Sequence, residues 1–327
     1  MLQPALWHWI AFIGFILAML AFDLLVLSRG GHEPTFRESL GWTAFWTGLA
    51  IGFNGLIWYA AGVEAAARFL AGYLVEWSLS LDNVFVFIVI FAYFQVPREH
   101  QHRVLFWGIL GAIVMRMVFV VVGMELIAAA DWVLPLFGMV IIYLGAKLAI
   151  QGEPKVEPER NLVLRAARRV FRVAEGDHGG RFFVRDEAGR RRATSLFLVL
   201  LAIESADVVF AFDSVPAIFG VARDPFLVFS SNVLAILGLR ALYFLLSGLI
   251  DRFRHINYGI SAVLVFVGIK MIADYAAKRF GWIAPDRELV PYWAALAVIT
   301  TLLVISIAIS LLVRPTDSES PPTDPAR

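Results

Sequence analysis

Five carboxylates sit inside long apolar stretches of this chain. Glu76 and Asp82 fall within residues 69–94, and Glu204, Asp207 and Asp213 within 195–222, each group followed by a further polar residue, Asn83 or Ser214. An ionisable side chain at the centre of a bilayer costs roughly 2.5–3.5 kcal/mol on insertion scales, so each is a candidate functional residue. Carboxylate, amide and hydroxyl oxygens, with neither sulfur nor imidazole among them, make a hard-cation donor set of the kind that suits Mg²⁺, Ca²⁺ or Mn²⁺. The candidate cation ligands are therefore Glu76, Asp82, Asn83, Glu204, Asp207, Asp213 and Ser214. The chain has no cysteine, which excludes disulfides, thiolate metal sites and thiol redox chemistry. All six histidines (His8, His32, His100, His102, His178 and His255) fall in loops or at the ends of apolar runs.

Spacing limits how these groups can converge. On a regular helix Glu76 and Asn83, seven apart, share a face, while Asp82 is rotated by about 100° from Asn83. Pro216 frees the carbonyl of Phe212 and is expected to kink the helix beside Asp213, a loosened turn of the sort that coordinates cations at membrane depth. Four bases in other apolar runs, Arg116, Lys147, Arg240 and Lys270, are the expected charge-balancing partners of the acids. The plainer alternative is that acids and bases pair only to hold the bundle together.

The elements that carry these residues are membrane spans. Of 327 residues 60% are hydrophobic and 17% charged, with a mean hydropathy of +0.75, against about 25% charged in soluble domains. Runs of bilayer length predict an all-α polytopic transmembrane helix bundle of about nine spans: 6–27, 41–60, 69–94, 104–124, 132–150, 195–222, 226–250, 256–275 and 290–313. The first is not expected to be a cleaved signal peptide, since it lacks a basic leader and Asp23 interrupts it. Residues 151–193 hold eleven Lys and Arg and are therefore expected in the cytoplasm. Carried through nine crossings, that choice puts the N-terminus outside and the C-terminus inside. Within this loop, residues 162–173 have amphipathic helical spacing, 181–190 read as a hairpin turning at 187–189, and the tail 315–327 reads as disordered. A net charge of +1 gives no basic field for nucleic acid. The lipid bilayer and a divalent metal ion are the expected partners, with a homo-oligomer or another membrane protein as further candidates.

The two acidic spans align with each other, Glu76-x₅-Asp82-Asn83-Val84 with Asp207-x₅-Asp213-Ser214-Val215, an offset of 131. Arg116 then aligns with Arg240 and Lys147 with Lys270, at offsets of 124 and 123. Acid, arginine and lysine recur in order on three successive spans. An odd number of spans per unit turns the second upside down, an inverted repeat of three helices with its site expected at the junction. The chain divides accordingly into spans one and two (1–68), the first unit (69–150), the cytoplasmic loop (151–193), the second unit (194–275), a final span (276–314) and the tail (315–327).

The stretches from Tyr73 to Phe85, Glu204 to Phe219, Ser231 to Phe244 and Phe266 to Met271, with Asp23-Leu24-Leu25 and Phe182 to Arg185, resemble the TerC family in the pattern of its Alx-type bacterial members. The resemblance covers almost the whole chain. It implies an inner-membrane protein related to the LysE transporters, tied historically to tellurium resistance, with members that export Mn²⁺. Its membrane acids correspond to Glu76, Asp82, Glu204, Asp207 and Asp213. With no thiol, a link to tellurite is expected to be indirect. The expectation is a secondary transporter, not an enzyme and without a cofactor; no Gly-Lys dipeptide of a P-loop is present to bind ATP. The rival expectation is a non-transporting scaffold that organises other membrane proteins.

Overall fold

In a bilayer every backbone polar group must be satisfied within the chain, and a helix does so without help from neighbours. The computed structural model describes residues 6–26, 35–130, 132–151, 165–166, 173–174, 179–185, 189–247, 256–284 and 287–312. Side chains of Val26, Asp82, Gln151, Phe212, Asp213, Ile256, Asn257, Leu311 and Leu312 lie outside the described set. Its helices are α1 (Leu6–Val26), α2 (Phe36–Tyr93), α3 (Arg98–Ala129), α4 (Val133–Gln151), α5 (Ser195–Phe219), α6 (Pro225–Leu237), α7 (Leu239–Ser247), α8 (Ile256–Arg279) and α9 (Tyr292–Leu312). Eight runs, counting α6 and α7 as one, are long and apolar enough to cross a membrane. The protein is an all-helical, multi-pass integral membrane bundle.

Spans expected as separate at 41–60 and 69–94 are one 58-residue run, α2, interrupted only at Gly62. Gly62 has φ 86° and ψ 176°, a conformation closed to side chains with a Cβ. There the run doubles back. Phe53 and Phe69, sixteen residues apart and so about 24 Å apart on a straight helix, meet with ring centroids 5.6 Å apart and planes tilted by 51°. The start of α2 is fixed by a capping box, in which Thr35 Oγ1 accepts from Glu38 N–H and the Glu38 carboxylate accepts from Thr35 N–H. Pro216, where a kink is expected, does not end α5: the helix runs from Ser195 to Phe219 and the proline falls in its last turn, before Gly220.

The second arm of α2 packs against α5, α6, α7 and α9, and α3 lies against α5 and α6. Helices α4 and α8 meet along their length. They touch backbone to backbone, because a Cβ at Gly268 would stand 2.6 Å from the Gly138 carbonyl oxygen, and Ser261 Oγ donates to the Gly145 carbonyl. Lipid gives no hydrophobic drive for helix association, so close approach through small residues supplies the attraction. Helix α1 is tied to α7 by an ion pair between Asp23 and Arg240, both buried.

In the polar segment, β1 (Phe183–Arg185) and β2 (Arg191–Ala193) pair antiparallel with Val184 opposite Arg192, the hairpin expected at 181–190. Apart from residues 165–166, 173 and 174, the expected amphipathic helix at 162–173 and its surroundings lie outside the described residues, as does the tail 315–327.

Two predictions follow from this packing. Gly268→Val drives a side chain into the α4 backbone and lowers stability by about 1–3 kcal/mol, read as a lower melting temperature in detergent, whereas Gly55→Val, with open space around it, leaves it unchanged. Asp23→Leu strands a buried guanidinium and costs about 3–5 kcal/mol, while Asp23→Leu with Arg240→Met recovers most of the loss; equal stability of Asp23→Leu and the unaltered protein in denaturant titrations would refute the pairing.

Candidate cation site

The second arm of α2 carries Glu76, Ser80 and Asn83 at positions i, i+4 and i+7, one face of a helix, and all three are at most 2% exposed. Opposite this face α6 presents Ser230, Ser231 and Asn232, each fully buried, α3 presents Arg116 and α5 presents Asp207 and Ser214. All eight of these side chains besides arginine carry oxygen, in a region otherwise walled by Leu, Ile, Val and Phe.

Arg116 is the centre of the arrangement. Its Nη1 lies 2.6 Å from Glu76 Oε1 and donates to Ser214 Oγ at 2.6 Å. Asn232 Nδ2 donates to Glu76 Oε2 at 3.3 Å. Glu76 is thus held from both sides, by a charge from α3 and an amide from α6. Asp207 lies within electrostatic reach of Arg116, Glu76 and Glu204. Glu204 is half-buried on α5 and rests against Gly111 of α3, where an added Cβ would collide with its carboxylate. Two buried oxygens, Ser80 Oγ of α2 and Asn232 Oδ1 of α6, have no hydrogen-bond partner among the described residues. Unsatisfied buried acceptors are rare in folded proteins and call for a reason.

The structure therefore brings Glu76, Ser214 and Arg116 into contact and places Asp207 and Glu204 beside them. Asn83 is buried on the same face of α2 as Glu76. The side chains of Asp82 and Asp213 lie outside the described residues, although the backbone of each is helical. Among the described residues no three acidic or histidine side chains converge on one point as a metal cradle. Glu76 is engaged by Arg116 rather than free to join its neighbours.

The other three expected balancing bases are elsewhere. Arg240 is held by Asp23, Lys270 by Asp274 at 2.9 Å, and Lys147 is exposed on α4. Each has a physical reason: Arg240 and Lys270 find acids closer to hand, and a lysine on an exposed helix face can carry its ammonium to the interface. Sequence reasoning left Ser80, Asn232 and Gly111 out of the candidate site, although Asn232 is conspicuous as an amide inside an apolar run. Ser231-Asn232 in mid-span was the available signal; Gly111 had none, since its value lies in the side chain that fits against it.

A family model described as "Integral membrane protein TerC family" matches residues 61–318. An uncharacterized membrane protein of Myxococcus xanthus is 43% identical over 311 residues, covering 95% of this chain and 93% of that one. A protein of Escherichia coli K12, provisionally named a membrane-bound redox modulator, Alx, is 42% identical over 278 residues, 82% of this chain and 86% of its own. An uncharacterized membrane protein of Rickettsia bellii is 34% identical over 304 residues, with 93% and 97% covered. No solved structure matches. With the match spanning most of the chain and its buried acids, the protein belongs to the TerC family of integral membrane proteins.

Proposed function

We propose that this protein is a secondary transporter of the inner (plasma) membrane that moves a divalent cation, Mn²⁺, out of the cytoplasm by alternating access. The observation that carries this reading is the balance of charge around Arg116. One guanidinium pairs with Glu76 and lies in the field of Asp207, which Glu204 also approaches, and a divalent ion is the species whose arrival would restore neutrality among these three acids and one base in a medium of low dielectric. Oxygen donors suited to a hard ion are present in Ser80, Asn83, Ser214 and Asn232. Asp82 and Asp213 are the remaining ligands on this reading. Arg116 neutralises Glu76 when no ion is bound and withdraws when one enters.

Mn²⁺ is preferred over Ca²⁺ and Mg²⁺ from the family resemblance, since ligand type alone suits all three. Ion or proton exchange supplies the drive. The N-terminus faces outward, with residues 151–193 and the C-terminus in the cytoplasm, as the distribution of arginine favours. The name carried by the Escherichia coli relative fits this reading through an indirect route. A chain without cysteine offers no thiol for redox exchange, whereas control of manganese alters the redox state of a cell through the enzymes that use the metal. The same reasoning makes any link to tellurite indirect.

A scaffold reading has one observation in its favour, the local pairing of Arg240 and Lys270. It leaves Glu204 and Asp207 without a role, because neither forms a hydrogen bond or ion pair with a described residue.

The test is cellular manganese content in a strain lacking the native gene, complemented with variants present at equal level in the membrane. Asp207→Asn and Asp213→Asn are each expected to lower efflux about 10- to 100-fold, at least the loss that follows removal of a metal site's outer partners, and so to raise cell manganese to that of the uncomplemented strain. Deleting part of 151–193 should leave efflux intact. Manganese content unchanged by both aspartate substitutions, with loss of phenotype on loop deletion, would favour the scaffold.

A further inference from the structure

A second charged cluster lies toward one end of the bundle. The Glu288 carboxylate bridges two bases: Oε1 accepts from Arg68 Nη1 at 2.6 Å, and Oε2 lies 3.5 Å from Lys270 Nζ. Lys270 Nζ also donates to Asp274 Oδ2 at 2.9 Å and to the Gly220 carbonyl at 3.2 Å. Asp274 Oδ1 accepts from Leu289 N–H at 2.8 Å, and Arg68 bonds Glu64 at 2.8 Å. The cluster joins four pieces of chain: the second arm of α2 at Arg68, the end of α5 at Gly220, α8 at Lys270 and Asp274, and residues 288–289 ahead of α9. Arg223 and Lys278 lie in electrostatic reach of it, so bases outnumber acids at this end.

Its depth is defined by its neighbours. Phe280, Trp282 and Trp293, on either side of the 288–289 segment, are 70%, 74% and 64% exposed, the amphipathic aromatics of a membrane interface. Measured inward, Arg68 is eight residues before Glu76 on α2, about 12 Å, and Gly220 is six beyond Ser214 on α5, about 9 Å. The cluster therefore stands between the Arg116 site and the end of the bundle formed by the Gly62 turn, the α5–α6 turn and the α8–α9 connection.

We propose that Glu288 is the latch of a gate on that side. While its carboxylate is held by Arg68 and Lys270, the ends of α2, α5 and α8 are locked together by the 288–289 segment, and the way from Glu76 to the exterior is shut. A cation arriving from the site competes with the two bases for the oxygens of Glu288 and Asp274, and this loosens the latch. The direction of passage rests on the export reading; the ion-pair lock does not.

The absence of native cysteine supplies the test. Ser231 is fully buried and faces Gly72 and Ile218, one turn of α2 inward from Arg68. In full-length protein in right-side-out vesicles, Ser231→Cys is expected to react slowly with a membrane-impermeant thiosulfonate. Adding Glu288→Gln should raise that rate at least tenfold, and adding Glu288→Asp should raise it less. Ile218→Cys serves as a second reporter should the first fail to assemble. Asp23→Leu, which breaks the buried Asp23–Arg240 pair, is the control for general loosening. An unchanged rate with Glu288→Gln, or an equal gain with Asp23→Leu, overturns the latch. Labelling requires no transport, so failure of manganese export in the preceding test and failure here are separate results.

Discussion

Charge inside this bundle has no water to solvate it, and the helices are arranged around that constraint. The Arg116–Glu76 pair meets it at the centre: two fully buried, oppositely charged groups from α3 and α2 that would each be costly alone. Because Arg116 also donates to Ser214, and Asn232 to Glu76, four helices are positioned by one pair of charges. A buried ion pair seldom adds stability over well-packed apolar groups. What it does supply is a specific mutual placement of α2, α3, α5 and α6, and a set of oxygens whose affinity for a cation depends on where one guanidinium points.

That placement depends on a rigid surround. Helices α4 and α8 are in backbone contact at Gly138 and Gly268, and the two arms of α2 are fastened by Phe53 on Phe69. Close packing through small residues leaves little room for sliding. The α5 helix is different. Its outer face at Val209 is exposed, its polar face holds Asp207 and Ser214, and its last turn contains Pro216, which cannot supply an amide hydrogen to the Phe212 carbonyl. If one helix is to shift while the rest hold, the one with an incomplete ladder near its end is the one least restrained.

Much of this was legible in the chain. Apolar runs of bilayer length pointed to a multi-pass helical bundle because hydropathy reports directly on the solvent, and Glu76, Asp207, Arg116 and Ser214 stood out because polar groups are rare there. Two features were not legible. The break between spans 41–60 and 69–94 was expected, but not that the single residue Gly62 makes it, since an isolated glycine in an apolar run carries no mark of whether it turns the chain or admits a neighbour. Pro216 suggested a kink, but its effect depends on how much helix follows, and only Ala217, Ile218 and Phe219 follow it in α5. The choice of partner for each base was also hidden. Sequence order matched Arg240 and Lys270 to the central acids, whereas distance assigns them to Asp23 and to Asp274 with Glu288.

The repeat in the sequence sharpens what these assignments mean. Arg116 and Arg240 occupy equivalent positions, as do Glu76 and Asp207. Arg116 neutralises the acid of its own unit. Arg240 does not, because α1, which stands outside both units, brings Asp23 to it first. Asp207 is therefore left to share the field of Arg116 with Glu76. Had each unit kept its arginine for its own acid, Glu76 and Asp207 would both be neutralised. Diverting one guanidinium to α1 leaves Arg116 as the base shared by Glu76 and Asp207, with Glu204 close to Asp207, and the export reading assigns the remaining deficit of positive charge to the cargo.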